Sequence, residues 1–261
     1  MCIRDSALAD VPHVLYDVGN FGIMGMGPPA QEALVVQPPP PYKKQSNTTY
    51  PVFYERLFQA GYIKKRLFSL WLNSKLAKTG SILFGDIDQS KFHGSIQYSP
   101  IARKGFPDWE INLNSVVLDN GHNKTNVLTK SIISVLDSGS PNMYLPAEVA
   151  SAFAQSLNAT MVDGFNGPFP YVDCDAGRDQ YLEFGFDAGV KLRVPATDII
   201  YPFGDPANVG EIRDSTGKKL CYVGLQSVPS DVYLLGATFQ RSAYLVFDAD
   251  NLRIGMAPIK C

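Results

Sequence analysis

The chain has 261 residues, of which 45% are hydrophobic, so it is long and apolar enough to bury the core of one or two domains. Its 23 basic and 25 acidic residues give a formal net charge of -2, and this balance argues against nucleic acid as a partner. No apolar run reaches the roughly 18 residues of a membrane helix. Asp10, Pro12 and Asp17 interrupt the stretch where a signal peptide would carry its apolar core, so we expect no secretory signal within these residues.

The first glycine-rich stretch gives no reason to expect a cofactor. Gly25, Gly27 and Ala30 have the spacing of a dinucleotide-binding loop. Pro28 and Pro29 lie between them, however, and lack the backbone N–H groups with which such a loop binds phosphate. The histidines and cysteines form neither a His-x-x-x-His nor a Cys-x-x-Cys pair. We predict that the protein uses no cofactor and no metal.

A proline-rich stretch and a short helix follow. The four consecutive prolines at positions 38–41 predict an exposed, extended loop, because proline cannot donate a hydrogen bond to a sheet. Residues 53–60 predict a short helix that ends at Gly61, a residue type that favours helix ends. The apolar residues expected together on one side of this helix are Phe53, Leu57 and Phe58.

Strands are predicted next, at residues 68–72 and 81–84. Apolar and polar residues alternate from 109 to 117, which predicts a strand with one buried and one exposed face. This strand leads toward a run of aliphatic residues that ends at an acid. The middle of the chain is therefore expected to be built mainly from strands.

The acid at the end of that run is Asp137, and it is the most informative residue of the sequence. Four of the five preceding residues are Ile, Val or Leu, which predicts a buried strand that stops at a polar turn. A buried carboxylate needs hydrogen-bond partners, since otherwise it takes up a proton or costs several kcal/mol. Gly139 lets backbone amides approach, and the hydroxyls of Ser138 and Ser140 can donate. A surface turn is the alternative, because Asp-Ser-Gly also arises by chance.

The residues after this turn predict a helix and a hairpin. Apolar residues recur every four positions after Pro146, a residue type tolerated in the first turn of a helix. The helical positions expected to be buried are Val149, Phe153 and Leu157. Residues 182–186 and 190–194 alternate on either side of Asp-Ala-Gly, which predicts two strands joined by a turn.

Residues 132–146 resemble the hydrophobic-hydrophobic-Asp-Thr/Ser-Gly-Thr/Ser signature of the pepsin-like aspartic proteases and its continuation into a helix. Residues 234–236, Leu-Leu-Gly, are similar to the element that passes beneath the second catalytic Asp of that family. The longest uninterrupted match covers residues 232–257, and the resemblance as a whole covers residues 14–260. The proline loop is an insertion in it. The chain is most similar to fungal, candidapepsin-like or yapsin-like members.

The resemblance implies an all-β, bilobal acid-protease fold with a few short helices. Residues 7–118 would form the later part of the N-terminal lobe and the strands between the lobes, and residues 119–261 a complete C-terminal lobe. Residues 1–6 match nothing in the family and are expected to be foreign to the fold. The first Asp-Thr-Gly motif of the family has no counterpart here, since residues 17–19 lack the hydroxyl residue. We therefore expect that a segment of the N-terminal lobe carrying the first catalytic Asp is missing.

The resemblance also assigns the chemistry. Asp137 would be one of two Asp residues, one from each lobe, that share a proton around an attacking water, as aspartic proteases do. Gly139 and Ser140 would contact the substrate, which would be a protein or peptide cleaved by endopeptidase action. The residues expected to support the site are Ser138, Leu235 and Gly236.

Cysteines and glycosylation sequons point to the cell exterior. Cys174 and Cys221 are expected to form a disulfide, because the resembled family carries a bridge in this part of its C-terminal lobe. Two buried free thiols are the alternative. Sequons at Asn47, Asn123 and Asn158 predict N-glycosylation. These features together predict a secreted or cell-surface protein.

Two other functions remain open from the sequence. The first is a non-catalytic lobe of the same fold with a binding role. The second is a serine protease, because residues 136–141 faintly resemble the nucleophile loop of the chymotrypsin-like enzymes, with Ser138 as the nucleophile. That chemistry requires a histidine base. The histidines, none of them in the sequence context of such a base, are His13, His93 and His122.

Overall fold

The computed structural model describes residues 24–31, 50–75, 77, 79–105, 108–164, 167–201, 213–228 and 231–260. The predictions for residues 1–6, the proline loop, Asn47 and His13 lie outside these ranges. The described part is mostly β, as predicted. Its short α-helices are α1 (Phe53–Gln59), α2 (Ala147–Ser156), α3 (Ala196–Ile199) and α4 (Ala237–Gln240). Its 3-10 helices are Pro29–Gln31, Gln89–Lys91 and Asp187–Gly189.

The strands form three sheets. In chain order they are β1 (Leu67–Trp71), β2 (Ser81–Phe84), β3 (Gln97–Pro100), β4 (Glu110–Asp119), β5 (Lys124–Asn126), β6 (Ile132–Leu136), β7 (Met143–Leu145), β8 (Thr160–Gly164), β9 (Gly167–Asp173), β10 (Tyr181–Phe186), β11 (Lys191–Pro195), β12 (Ile200–Tyr201), β13 (Leu220–Val223), β14 (Leu225–Ser227), β15 (Tyr233–Leu235), β16 (Ala243–Asp248) and β17 (Arg253–Pro258). The strands predicted near 68–72, 81–84 and 109–117 are confirmed as β1, β2 and β4.

The five-stranded sheet joins distant parts of the chain. Its strand order is β2-β1-β16-β17-β3, and every neighbouring pair is antiparallel. Phe68 on β1 lies opposite Phe247 on β16, and the two rings stack with their centroids 4.6 Å apart. Trp109 packs edge-on against both rings and is fully buried. The main core therefore continues from this sheet to the beginning of β4.

The eight-stranded sheet has the order β11-β10-β4-β6-β15-β7-β14, with β5 paired to β4. The hairpin predicted from the alternation after residue 182 is confirmed as β10 and β11. Most pairs in this sheet are antiparallel, but β6 pairs with β15, and β7 with β14, in parallel. Parallel neighbours need a crossover connection, so this part of the sheet brings together residues that are far apart in sequence.

A four-stranded sheet, β12-β13-β9-β8, packs beside it and carries the disulfide. The predicted bond between Cys174 and Cys221 is confirmed, with Cα atoms 4.8 Å apart and a sequence separation of 47. A covalent link that closes a loop of this length stabilises the fold by about 4 kcal/mol on the chain-entropy account.

Two predicted helices are present, but one faces the core differently. Helix α2 buries Val149, Phe153 and the following Leu157, as predicted, with Pro146 as its N-cap. The apolar residues expected on one side of helix α1 were Phe53, Leu57 and Phe58; the fully buried residue is Tyr54, while Phe53 and Phe58 are 45% and 40% exposed. The reason is that this helix reaches the core through Tyr54, which packs against Phe68 and Trp109.

Candidate active site

The candidate site forms where the parallel strands β6 and β15 end side by side. Leu136 and Leu235 are register partners and the last residues of these strands. The N–H of Asp137 donates to the carbonyl of Leu235 across 3.3 Å, and the N–H of Leu136 donates to the carbonyl of Trp109 across 2.9 Å. Because both strands run in the same direction, the loops that follow them leave at the same edge of the sheet. Asp137 is thereby fixed beside Gly236.

The Asp137 loop, residues 137–140, is held by its own hydrogen bonds. The N–H of Gly139 donates to Oδ1 of Asp137 at 3.0 Å, and the Ser140 hydroxyl donates to Oδ2 at 2.6 Å. The N–H of Ser140 also donates to the carbonyl of Asp137, at 3.1 Å. Charge-assisted hydrogen bonds of this kind are stronger than neutral ones and fix the direction of a carboxylate. Both carboxylate oxygens are therefore oriented, while the side chain stays half-buried.

The expected donors are confirmed in part. Gly139 and Ser140 bind the carboxylate as predicted, whereas the hydroxyl of Ser138 makes no hydrogen bond to it within the described ranges. The preceding strand was predicted to be buried, and in β6 Ser134 and Leu136 are fully buried while the other residues are partly buried. Alternate residues of β6 face the two sides of the sheet, and one side is partly covered.

Gly236 fits beneath the loop because it has no side chain. A Cβ atom on Gly236 would lie 2.0 Å from the carbonyl oxygen of Asn142 and 2.6 Å from that of Ser140. The next two residues pair with the same loop, since the N–H of Ala237 donates to Ser140 and that of Thr238 to Pro141, at 2.8 and 3.1 Å. The Leu-Leu-Gly element and the residues after it therefore lie directly against the end of the Asp137 loop.

Two buried acids flank Trp109, and their burial was not predicted from the sequence. Asp108 is 7% exposed and accepts a hydrogen bond from the N–H of Trp109 at 2.7 Å. Burial raises the pKa of the Asp108 carboxyl to about 6, because desolvation penalises its charged form. Glu110 is fully buried and binds the Arg103 guanidinium at 2.6 and 2.5 Å. The available signal was two acids on either side of a Trp at the start of an alternating strand.

The other predicted sites lie apart from the Asp137 loop. Asn123 is exposed in the turn between β4 and β5, and Asn158 is exposed just after α2. A cavity of about 680 Å³ is lined by Asp86, His93 and Lys260, among others, and not by residues of the Asp137 loop. It is formed by the segment between β2 and β3 and by the end of β17.

The described part of the chain contains neither a cluster of metal-ligating side chains nor a Ser138–His hydrogen bond of the kind a serine protease needs. No group of three or more His, Cys, Asp or Glu side chains there could hold a metal ion. The Ser138 hydroxyl donates to neither His93 nor His122, which are exposed on loops of the two large sheets. Among the described helices, none combines the length and the apolar character needed to cross a membrane.

Known proteins with similar sequences are aspartic proteases. The family model "Eukaryotic aspartyl protease" matches residues 6–259. Candidapepsin of Candida tropicalis is 33% identical over 258 residues, which are 99% of this chain and 56% of that protein. The "Probable aspartic-type endopeptidase OPSB" of Arthroderma benhamiae is 31% identical over 245 residues, which are 92% of this chain and 48% of that protein. The chain thus spans about half the length of the curated relatives it matches.

The fold comparison agrees with the sequence comparison. The crystal structure of an aspartic proteinase from Irpex lacteus superimposes with a TM-score of 0.73 at 23% identity, covering 93% of this chain and 69% of that one. The pepsin-like fold, the Asp137 loop beside Gly236 and the match to the family model all point to the same family. The chain belongs to the eukaryotic aspartyl protease family.

Proposed function

We propose that this chain is part of an aspartic-type endopeptidase that hydrolyses peptide bonds in proteins, and that Asp137 is one of its two catalytic carboxyls. The observation that carries the proposal is the Asp137 loop itself. Both carboxylate oxygens accept hydrogen bonds from within the loop, and the loop rests on Gly236 at the end of a parallel strand pair. A carboxylate that is oriented in this way and still half-exposed can reach a water molecule and a substrate.

The chemistry requires a second carboxyl. One ionised carboxylate takes a proton from the attacking water, and a second, protonated one donates a hydrogen bond to the carbonyl of the scissile peptide. Two such groups hold different pKa values when they lie close together, because both cannot easily be charged at once. Asp137 cannot perform both tasks. We propose that the second Asp comes from an N-terminal lobe segment of the whole protein, as in the family.

The loop would also bind substrate and lie in an extracellular enzyme. Gly139 and Ser140 stand next to the carboxylate and carry backbone groups that can hydrogen-bond an extended peptide. The disulfide between Cys174 and Cys221 fits an oxidising compartment. The exposed sequons at Asn123 and Asn158 can accept glycans there. We therefore propose secretion or display at the cell surface, with proteins and peptides as substrates.

Activity of a longer protein tests this proposal. The 261-residue chain is expected to be inactive alone, whereas the same chain extended by the first lobe of the Candida tropicalis candidapepsin should digest denatured globin between about pH 2 and 5, the acid range of a carboxylate pair. Pepstatin should block this activity, and Asp137→Ala should lower it by about 10³-fold or more.

Ser138→Ala is the matched control, because it changes the neighbouring residue of the same loop. We expect it to keep activity within about tenfold, since Ser138 makes no hydrogen bond to the carboxylate in the described part of the chain. If Ser138→Ala abolished activity while Asp137→Ala remained active, the protein would be a serine protease. A folded extended protein that binds peptides without cleaving them would indicate a non-catalytic binding lobe.

A further inference from the structure

The second residue after the Asp137 loop, Asn142, makes a buried polar contact that the catalytic scheme does not use. Asn142 is 3% exposed, and its Nδ2 donates to the hydroxyl of Tyr222, which is also 3% exposed, at 2.8 Å. The side-chain amide of Gln226 donates to the same hydroxyl. Buried polar side chains are normally retained with their partners, since an amide without an acceptor is unfavourable in the interior. The Tyr222 hydroxyl is thus an acceptor shared by two amides.

Tyr222 is itself firmly held. It lies on β13 directly after Cys221, which is bonded to Cys174, and it is the register partner of Tyr171 on β9. The rings of Tyr222 and Tyr171 pack edge to face with their centroids 5.9 Å apart. A residue fixed by a sheet, a disulfide and an aromatic neighbour is a rigid anchor. A side chain that is hydrogen-bonded to its hydroxyl, such as that of Asn142, is therefore held in a fixed position.

Asn142 in turn is placed to determine where the Asp137 loop lies. A Cβ atom on Gly236 would lie 2.0 Å from the carbonyl oxygen of Asn142, and a Cβ atom on Gly224 would lie 3.2 Å from its Oδ1. The next residue, Met143, donates its N–H to the carbonyl of Gly224 at 2.9 Å. A sideways shift of Asn142 would move the loop relative to both glycines. The loop would then lose the alignment in which Gly139 and Ser140 bind the carboxylate.

We propose that Tyr222 is a positioning residue for the Asp137 carboxylate, acting through Asn142. The hydrogen bond between them joins the disulfide-bearing sheet to the loop, so that the geometry of the loop depends on the anchor. The effect of this contact on catalysis rests on the proposed function, whereas its effect on the loop does not. The two can be measured separately.

The loop itself is tested by amide hydrogen exchange in the 261-residue chain, which requires no activity. Tyr222→Phe removes the hydroxyl and should accelerate exchange at the Gly139 and Ser140 amides by about tenfold, because their hydrogen bonds to Asp137 open more often. Tyr54→Phe is the matched control, since it removes a buried hydroxyl that has no hydrogen-bond partner among the described residues. It should leave exchange in the loop unchanged.

A rescue variant separates positioning from general stability. Asn142→Leu in the Tyr222→Phe background replaces the amide that has lost its acceptor by an apolar side chain of similar size. It should recover part of the lost thermal stability while exchange at Gly139 stays fast. Recovery of both would mean that the contact only stabilises the fold. Should Tyr222→Phe not fold, Asn142→Leu alone breaks the same hydrogen bond and is expected to accelerate exchange at the same two amides.

The kinetic experiment uses the chain extended by the candidapepsin first lobe. Tyr222→Phe should lower kcat/KM by about 10- to 100-fold, because the carboxylate is misplaced together with the neighbouring substrate contacts of Gly139 and Ser140. Unchanged loop exchange in both Tyr222→Phe and Asn142→Leu would overturn the proposal, whatever the kinetics. Fast loop exchange together with an inactive extended parent would support the positioning role and contradict the proposed function.

Discussion

The two large sheets use the same kinds of residues but differ in the direction of their strands. All neighbours in the five-stranded sheet are antiparallel, and its strands pair segments at opposite ends of the described chain. The eight-stranded sheet contains two parallel pairs, and the Asp137 loop lies at the end of one of them. Parallel neighbours direct their following loops to one edge, whereas antiparallel neighbours direct them to opposite edges. A site assembled from two loops therefore arises in the second sheet.

The two regions also differ in how completely their buried acids are paired. Asp248, at the end of β16 in the five-stranded sheet, is 3% exposed and accepts hydrogen bonds from Asn251 and from Arg253, the latter at 2.8 Å. Asp108, just before β4, is buried to a similar degree but accepts a single hydrogen bond from the described residues, from the N–H of Trp109. The first acid is a fully paired part of the framework. For the second, Asp108, hydrogen bonding does not offset the desolvation of the charged carboxylate. It lies next to Trp109, whose carbonyl accepts a hydrogen bond from Leu136 of β6.

The largest effect is expected from filling the space beneath the loop. Gly236→Ala would press a Cβ onto two backbone carbonyls, which cannot rotate away, and should lower the free energy of unfolding by at least about 4 kcal/mol. Gly255→Ala in the five-stranded sheet is the matched control. Its Cβ would meet the side chains of Ile96 and Tyr98, which can shift, so about 1 to 2 kcal/mol is expected. Urea denaturation measures both, and equal losses would contradict the proposed rigidity of the loop.

Removing the paired acid comes next. Asp248→Asn leaves the Arg253 guanidinium without its carboxylate and should destabilise the protein by about 3 kcal/mol. Asp250→Asn is the control two residues further on, where the pair with Arg66 is partly exposed and less than about 1 kcal/mol is expected. Thermal unfolding of both variants checks the order. A larger loss in Asp250→Asn would show that burial is not what makes the Asp248 pair important.

Asp108 should make the free energy of unfolding depend on pH. Burial raises the pKa of Asp108 to about 6, whereas an unfolded Asp titrates near about 3.9. Between these values the folded state keeps a proton that the unfolded state has lost, so the contribution of Asp108 is fully favourable below about pH 4 and is lost as pH rises through about 6. Asp108→Asn should abolish this decline, so that its stability relative to the unmodified protein is about 2 to 3 kcal/mol more favourable at pH 7 than at pH 4. An unchanged slope of unfolding free energy against pH would contradict it.

Local patterns in the sequence predicted much of the fold. The β10–β11 hairpin, α2 and the strand before Asp137 follow from periodicity over a few residues. The disulfide and the Leu-Leu-Gly element followed from the family resemblance. The buried residue of helix α1, Tyr54, is not among the apolar residues that the sequence pattern marked, whereas Phe53 packs at the edge of the core against Phe84.

Contacts between distant segments could not be predicted in this way. The hydrogen bond from Asn142 to Tyr222 spans 80 residues and depends on the parallel pairing of β7 with β14. The burial of Asp108 is likewise not marked by its local sequence, although the residue is only 7% exposed. The Asp137 motif was recognisable because its hydrogen bonds are made within four residues. A site whose contacts are local can be found from the sequence, but the distant residues that position it can be identified only from the structure.

The central claim is that Asp137 performs chemistry in the whole enzyme and is not merely part of a turn. The most direct test is kcat of the chain extended by the candidapepsin first lobe, with and without Asp137→Asn. The amide keeps the shape of the carboxyl but cannot take a proton from water, so kcat should fall by at least about 10³-fold with little change in the unfolding temperature. Turnover within about tenfold of the unmodified protein would contradict the claim and remove Asp137 from the catalytic pair.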